Sequence, residues 1–498
     1  MTRMENSAPR RSIARPLAFA ILLLAGLGFL GRPLADFGRH IVAPAFAEDG
    51  GSGDGGDSGG GDGGGSSGGG DGSGSGGDGS SGSGGSGDDG GDNSGSSGSS
   101  SNSGGTGSTT TGPAATAGTT ADGTGTGGRR HDFAAGEVVV VGDGPKILDK
   151  AEDLGFRLID DRPLAALGLS VLRLRTPPNV GPEQGLSLLH QALPQLVADV
   201  NTLYEPYKTQ SAQVVSLPAP DYARHLIGWS GGANCGTGFR IGMVDTGIDA
   251  DLPALAGQKL HQQSFVAGDA SPAATEHGTS IAALLIGRSD PGHIDGGGLL
   301  PAADLYAASI FERHGERTEA SAFAIAAALD WMVAQHVPVV NISLSGDNNA
   351  LMALAVARAT ERGTLLVAAA GNAGPTAPPA YPAALEDVIA VTAVDQNEAI
   401  LPEANHGNYI AFAAPGVRVW TPAADGLGEY QTGTSFAAPF AAAAIAAERM
   451  AGSRLDVSAL RARLAAHALD LGPPGKDPIF GYGLIRATTS CEASASAG

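Results

Sequence analysis

The chain has 498 residues and a formal net charge of -21. An acidic balance argues against a nucleic-acid role, because holding phosphates takes clustered Lys and Arg. Residues 50–128 concentrate glycine with Ser and Asp, so a folded core is expected only from about 131 onward. That remainder is long enough for one large core and one small one.

The chain opens with Arg3, Arg10, Arg11 and Arg15, followed by an uncharged apolar run from Leu17 to Leu30. A positive stretch, a short apolar run and the small-residue site Ala45-Phe46-Ala47 are the parts of an export signal. The run suits a signal better than a full membrane span, which needs about 20 residues. The cleavage site lies far from the run, so residues 1–47 read as a signal peptide or as an uncleaved signal anchor. Either way the protein is expected outside the cytoplasm: periplasmic, extracellular, or held on the outer side of the cytoplasmic membrane. Membrane contact through this segment stays open.

Residues 48–130 read as a disordered Gly/Ser/Asp linker. They carry too few apolar side chains to offset the entropy of ordering. Calcium-binding nonapeptide repeats need a large apolar residue in each unit, and none occurs from Glu48 to Ser103.

Residues 131–215 are expected to form a small α+β domain. Strands are read at Glu137–Val141, Phe156–Ile159, Leu169–Leu174 and Val197–Leu203, with helices at Ile147–Leu154 and Pro182–Leu193. The order β-α-β-β-α-β is that of a ferredoxin-like unit.

Residues 216–498 alternate short apolar strands with helices. The strands are read at Arg240–Val244, Leu305–Ile310, Val337–Leu344, Leu365–Ala370, Val388–Val394 and Ile410–Ala413. The helices are read at Ser280–Ile286, Glu319–Gln335, Asn349–Glu361, Phe436–Met450 and Val457–Ala468. Apolar strands of this kind suit a mostly parallel, doubly wound sheet with helices on both faces. Cys235 and Cys491 are the two cysteines, and in an exported protein a single disulfide between them is expected.

Functional groups in such sheets gather at the carboxyl ends of strands. Asp245 closes the apolar run Ile241–Val244, and His277 opens an apolar helix. Ser435 starts an Ala-rich helix, and Pro439 is read in that helix's first turn. Asn372 follows a buried strand. Each residue alone has an ordinary structural role, as turn, cap or core group. A serine at a helix N-terminus also has unpaired backbone N–H groups beside it that can stabilise a developing negative charge.

Taken in order, the blocks Asp245-Thr246-Gly247, His277-Gly278-Thr279, Ala370-Gly371-Asn372 and Gly433-Thr434-Ser435 through Pro439 resemble those of the subtilisin-like serine peptidases, over about residues 220–490. The resemblance implies a serine endopeptidase with Asp245, His277 and Ser435 as its triad and Asn372 as an oxyanion donor. It implies protein or peptide substrates, bordered by Ser343-Leu344-Ser345-Gly346 on one side and Ala370-Gly371 on the other. Ser345 stands where the family usually has glycine, and Ala373 where some members carry an acid. A preference for small or medium apolar residues before the cut is therefore expected.

The small domain resembles the family's propeptides by fold order and position. It implies a self-processing zymogen that lays the domain's tail through its own cleft, with autocleavage between about Tyr204 and Pro220. Two further readings of the same chain are a membrane-tethered processing protease with few substrates and an inactive binding domain. No cofactor is expected. Many relatives bind calcium, but Asp290, Asp295 and Asp304 read as solvated turn residues.

Overall fold

The computed structural model describes residues 133–142, 145–206, 217–266, 271–288, 297–314, 317–422, 428–489 and 491, all within one compact unit spanning 118–498. The export segment and the linker lie outside the described residues, as do Asp290 and Asp295.

The small domain is built by strand alternation, which sends successive side chains to opposite faces. Its elements are β1 (Phe133–Val141), α1 (Pro145–Asp153), β2 (Arg157–Leu164), β3 (Leu169–Arg175), α2 (Pro182–Ala192) and β4 (Val197–Pro206). The strands pair antiparallel in the order β2-β3-β1-β4, the expected ferredoxin-like arrangement. Val138 and Val140 of β1 turn inward to Phe156, Leu172, Leu174 and Leu189. Val139 turns outward and joins Leu164, Leu167 and Val171 in a core shared with the larger domain.

The larger domain contains α3 (Tyr222–Leu226), β5 (Arg240–Asp245), β6 (Lys259–Ser264), β7 (Ser271–Pro272), α4 (Glu276–Ile286), β8 (Asp304–Ser309), β9 (Glu312–His314) and β10 (Arg317–Ser321). It continues with α5 (Ala322–Ala334), β11 (Val339–Ile342), β12 (Leu344–Ser345), α6 (Ala350–Glu361), β13 (Leu365–Ala369), β14 (Val388–Val394) and β15 (Ile410–Pro415). A hairpin of β16 (Val419–Thr421) and β17 (Glu429–Gln431) leads into α7 (Thr434–Met450) and α8 (Val457–Ala465). Seven parallel strands form its sheet in the order β15-β14-β13-β11-β5-β8-β6. Ile241, Met243, Val339, Val367 and Val391 pack on the face covered by α4 and α7. Val244, Val340, Ile342, Leu366 and Ala390 pack on the face covered by α5 and α6. Both faces are buried, which is why these strands read as unbroken apolar runs.

Three sequence expectations change. Residues 319–321 belong to β10 and not to a helix: Glu319 pairs with Glu312, and Ala320 and Ser321 pair with β4. The helix begins only after Ser321, whose hydroxyl caps it by accepting the Ala324 N–H. The run Val337–Leu344 breaks at Ser343 into β11 and β12. Pro439 is not in the first turn of α7 but inside the helix, four residues after Ser435, so its missing N–H leaves the Ser435 carbonyl without its helical donor. The edge strand β6 had no apolar signal to betray it, since most of Lys259–Ser264 is polar and exposed. Cys235 and Cys491 are joined by a disulfide, their Cα atoms 5.1 Å apart.

Candidate active site

The site forms where β5 ends. Asp245 is the last residue of that strand and is fully buried. Its Oδ1 accepts the Thr246 N–H at 2.7 Å and lies 2.8 Å from His277 Nδ1. His277 is the second residue of α4, and the start of that helix must press against the end of β5. Gly278 makes this possible. A Cβ there would stand 2.7 Å from the carbonyl oxygens of Thr246 and Gly247. In its place the Gly278 N–H donates to Thr246 Oγ1 at 2.9 Å.

His277 Nε2 lies 3.0 Å from Ser435 Oγ. A carboxylate at Nδ1 fixes the proton there, which leaves Nε2 as the acceptor for the serine hydroxyl. The imidazole also leans on the Phe436 ring, with centroids 5.4 Å apart.

Ser435 lies in the first turn of α7, where backbone N–H groups have no intrahelical acceptor. Asn372 crosses to this helix end. Its Oδ1 accepts the Thr434 N–H at 3.0 Å and the Thr434 hydroxyl at 2.9 Å. The amide oxygen is thereby fixed and Nδ2 is the end left to donate. A Cβ on Gly433 would lie 3.1 Å from Asn372 Nδ2 and 3.3 Å from Ser435 Oγ. The lack of a side chain at Gly433 therefore keeps open the space between the amide and the hydroxyl. Gly371 N–H donates to Thr434 Oγ1 at 3.2 Å and brings the Ala370-Gly371 segment to the same helix end.

The second border begins at Ser343, whose N–H donates to the Val244 carbonyl at 3.4 Å, next to Asp245. Leu344 and Ser345 then pair antiparallel with Pro206 and Glu205 of β4. Gly346 exchanges two backbone hydrogen bonds with Tyr381. On its other side β4 pairs with β10, Tyr204 facing Ala320 and Leu203 facing Ser321. The tail of the small domain is thus held as a strand between β10 and β12, running toward the Asp245 end of β5.

All of the site residues read from the sequence fall at this end of the sheet. Thr246 and Thr434 were missed as supporting residues, although both stand inside the motifs that gave Asp245 and Ser435. The β10 border was missed because its alternating Arg317–Ser321 runs straight into a helix. Asp304, weighed as a calcium ligand, pairs with Lys259 Nζ at 2.9 Å.

Residues 236–483 match the family model described as the subtilase family. Subtilisin DY of Bacillus licheniformis is 31% identical over 265 residues, 52% of this chain and 92% of that protein. The chain belongs to the subtilase family, a family of serine endopeptidases. Thermitase of Thermoactinomyces vulgaris is 33% identical over 211 residues, covering 42% of this subtilase and 73% of the relative. The minor extracellular protease Epr of Bacillus subtilis (strain 168) is 31% identical over 274 residues, 54% of this chain but 41% of its own length. Among solved structures, fervidolysin from Fervidobacterium pennivorans, described as a keratinolytic enzyme related to subtilisin, superposes with a TM-score of 0.61. That match is 22% identical, covers 74% of this chain and 62% of fervidolysin, and speaks to the fold alone.

Proposed function

We propose that this subtilase is an exported endopeptidase made as a zymogen that processes itself, cutting by acyl transfer through Asp245, His277 and Ser435. Ser435 Oγ attacks the scissile carbonyl while His277 Nε2 takes its proton. The tetrahedral intermediate collapses to an acyl-enzyme as His277 returns that proton to the departing amine. Water then attacks the ester, again giving its proton to His277, and Ser435 leaves with the proton as the acid is released. Asp245 holds the imidazole and stabilises its charged form. Asn372 Nδ2 and the Ser435 N–H receive the oxyanion.

The observation that carries this reading is the place of β4. It lies between β10 and β12 as an added strand, the way an extended peptide is held by sheet edges. Antiparallel to β12, it passes Ser345, then Leu344, and heads for Ser343, which touches the strand ending in Asp245. A chain running in that direction leads on past Pro206 toward the serine, so the cut is expected beyond Pro206. The extracellular description of the relative Epr supports export, as does the basic and apolar N-terminal sequence. We extend the same reading to a preference for small or medium apolar residues directly before the cut.

The test is to express the full chain and its Ser435→Ala variant, label both with a fluorophosphonate, and follow intact mass and N-terminal sequence. The wild type is expected to label and to acquire a new N-terminus after Pro206 and no later than Leu217. A folded wild type that neither labels nor cleaves would sink the proposal.

A further inference from the structure

Asn372 follows β13 in a stretch that is neither helix nor strand, so no regular element fixes its backbone. Much of that task falls to one side chain from the loop before β15. Asn405 is 2% exposed. Its Oδ1 accepts the Ala373 N–H at 2.8 Å, and its Nδ2 donates to the Pro378 carbonyl at 3.2 Å. Its backbone N–H donates to the Gly371 carbonyl at 3.0 Å. The fit is close. Gly371 has a φ of 116°, and a Cβ there would stand 2.6, 2.7 and 2.9 Å from Cγ, Nδ2 and Oδ1 of Asn405. Two outer ties widen the brace. The Gly374 N–H donates to the Glu403 carbonyl at 2.8 Å, and the Tyr409 hydroxyl donates to the Ala370 carbonyl at 2.8 Å. The residues before and after Asn372 are therefore both bound to Asn405, while the Asn372 side chain is bound to Thr434.

This inference rests on the proposed role of Asn372 Nδ2 in receiving the oxyanion. We propose that Asn405 is a positioning residue for that donor. It acts through the main chain of Gly371 and Ala373, and so sets where Nδ2 stands relative to Ser435 Oγ. Thr434 orients the Asn372 amide, but only about a backbone that Asn405 has placed. The brace calls for an amide, because one end must accept an N–H and the other must donate to a carbonyl. An apolar side chain of the same size leaves the Ala373 N–H and the Pro378 carbonyl without this partner. A carboxylate keeps the first bond but sets an oxygen against the Pro378 carbonyl. A displaced oxyanion donor matters only where charge develops, so the loss falls on kcat and not on KM.

The test measures kcat and KM on a fluorogenic peptide with small apolar residues before the cut, with a thermal melt beside each. It uses the enzyme expressed as the full chain in four forms: wild type, Asn405→Leu, Asn372→Leu and the double variant. Asn405→Leu is expected to lower kcat by about 10- to 100-fold, the cost of misplacing a reacting group by up to an ångström, with KM unchanged within about twofold. In the Asn372→Leu background the same change is expected to lower kcat by no more than about threefold, because no donor is left to place. Equal factors in the two backgrounds overturn the proposal and make Asn405 a residue of the fold alone. A folded Asn405→Leu enzyme with wild-type kcat overturns it too, whatever its KM. If Asn405→Leu does not fold, Asn405→Asp replaces it, since it keeps the size and the Ala373 bond. A loss in kcat of about 3- to 10-fold is then expected, again confined to the background that retains Asn372, and the same loss in both backgrounds overturns the proposal. An Asn372→Leu enzyme as fast as the wild type sinks the oxyanion reading instead, and the role of Asn405 falls with it.

Discussion

Helices α5 and α6 begin very differently from α7. At α6, Asn349 accepts the N–H groups of Leu351 and Met352, and Asp199 of the small domain accepts that of Ala350 at 2.8 Å. At α5, Ser321 caps Ala324, and Asn201 of the small domain reaches the Phe323 N–H at 3.4 Å. These two ends are closed, partly by the helices' own residues and partly by the small domain. The α7 end has glycine at its cap position and no side-chain cap from its own sequence. Asn372 takes only the Thr434 N–H there. The same backbone physics thus serves two ends. A filled helix terminus fastens one domain to another, and an unfilled one leaves donors for a transient anion.

The sharpest way to break the comparison is to remove the nucleophile from the open end. Ser435→Ala is expected to cut peptide turnover by roughly four to six orders of magnitude while leaving the fold intact. The measurement is kcat/KM beside a thermal melt. A loss of only tenfold would show that the open end does no chemistry. Removing its donor is next in size. Asn372→Leu is expected to lower kcat by about 10²–10³ with little change in KM, since the amide meets the oxyanion only in the transition state. An equal rise in KM would make Asn372 a ground-state contact. Because Asn372 Oδ1 also ties down Thr434, Thr434→Val is the control, and it should cost less than Asn372→Leu.

The sheet and the open helix end could be read from the sequence, but the closed helix ends could not. Two-sided burial wrote the parallel strands as apolar runs, and the proposed site residues Asp245, His277, Asn372 and Ser435 each sit in a short local motif. The contacts of Asp199, Asn201 and Tyr204 are long-range. Residues 122–163 apart in sequence meet there, as in Asn201 with Phe323 and Leu167 with Asp330. No local pattern encodes such a meeting. The β10 border was hidden for a related reason: Arg317–Ser321 is a strand only because β4 and β9 lie beside it. Pro439 misled in the opposite way, because the sequence alone did not show that α7 starts at Thr434.

A subtler test closes the open end without touching the reacting groups. Gly433→Ala places a methyl between Asn372 Nδ2 and Ser435 Oγ, at a φ of 156°. We expect kcat to fall by about 10²-fold, the cost of displacing a reacting group by an ångström or so. Fluorophosphonate labelling should slow in parallel. Labelling at the wild-type rate would mean that the space beside Gly433 is not where the oxyanion forms.

The smallest expected effect belongs to the closed end of α6. Asp199 is half-buried, and the cost of desolvating its carboxylate raises its pKa, offset in part by the Ala350 and Val200 N–H groups. Its worth as a cap is therefore modest. Asp199→Ala should loosen the cleaved small domain by about 1 kcal/mol, roughly fivefold in its dissociation from the processed protein. Asp199→Asn keeps an oxygen acceptor for Ala350 and avoids burying a charge, so it should match the wild type or hold more tightly. If Asn loosens the domain as much as Ala does, the negative charge at the helix end matters more than the hydrogen bond. The closed end would then resemble the open one more than their cap residues suggest, each being an electrostatic site that differs in whether its anion is permanent.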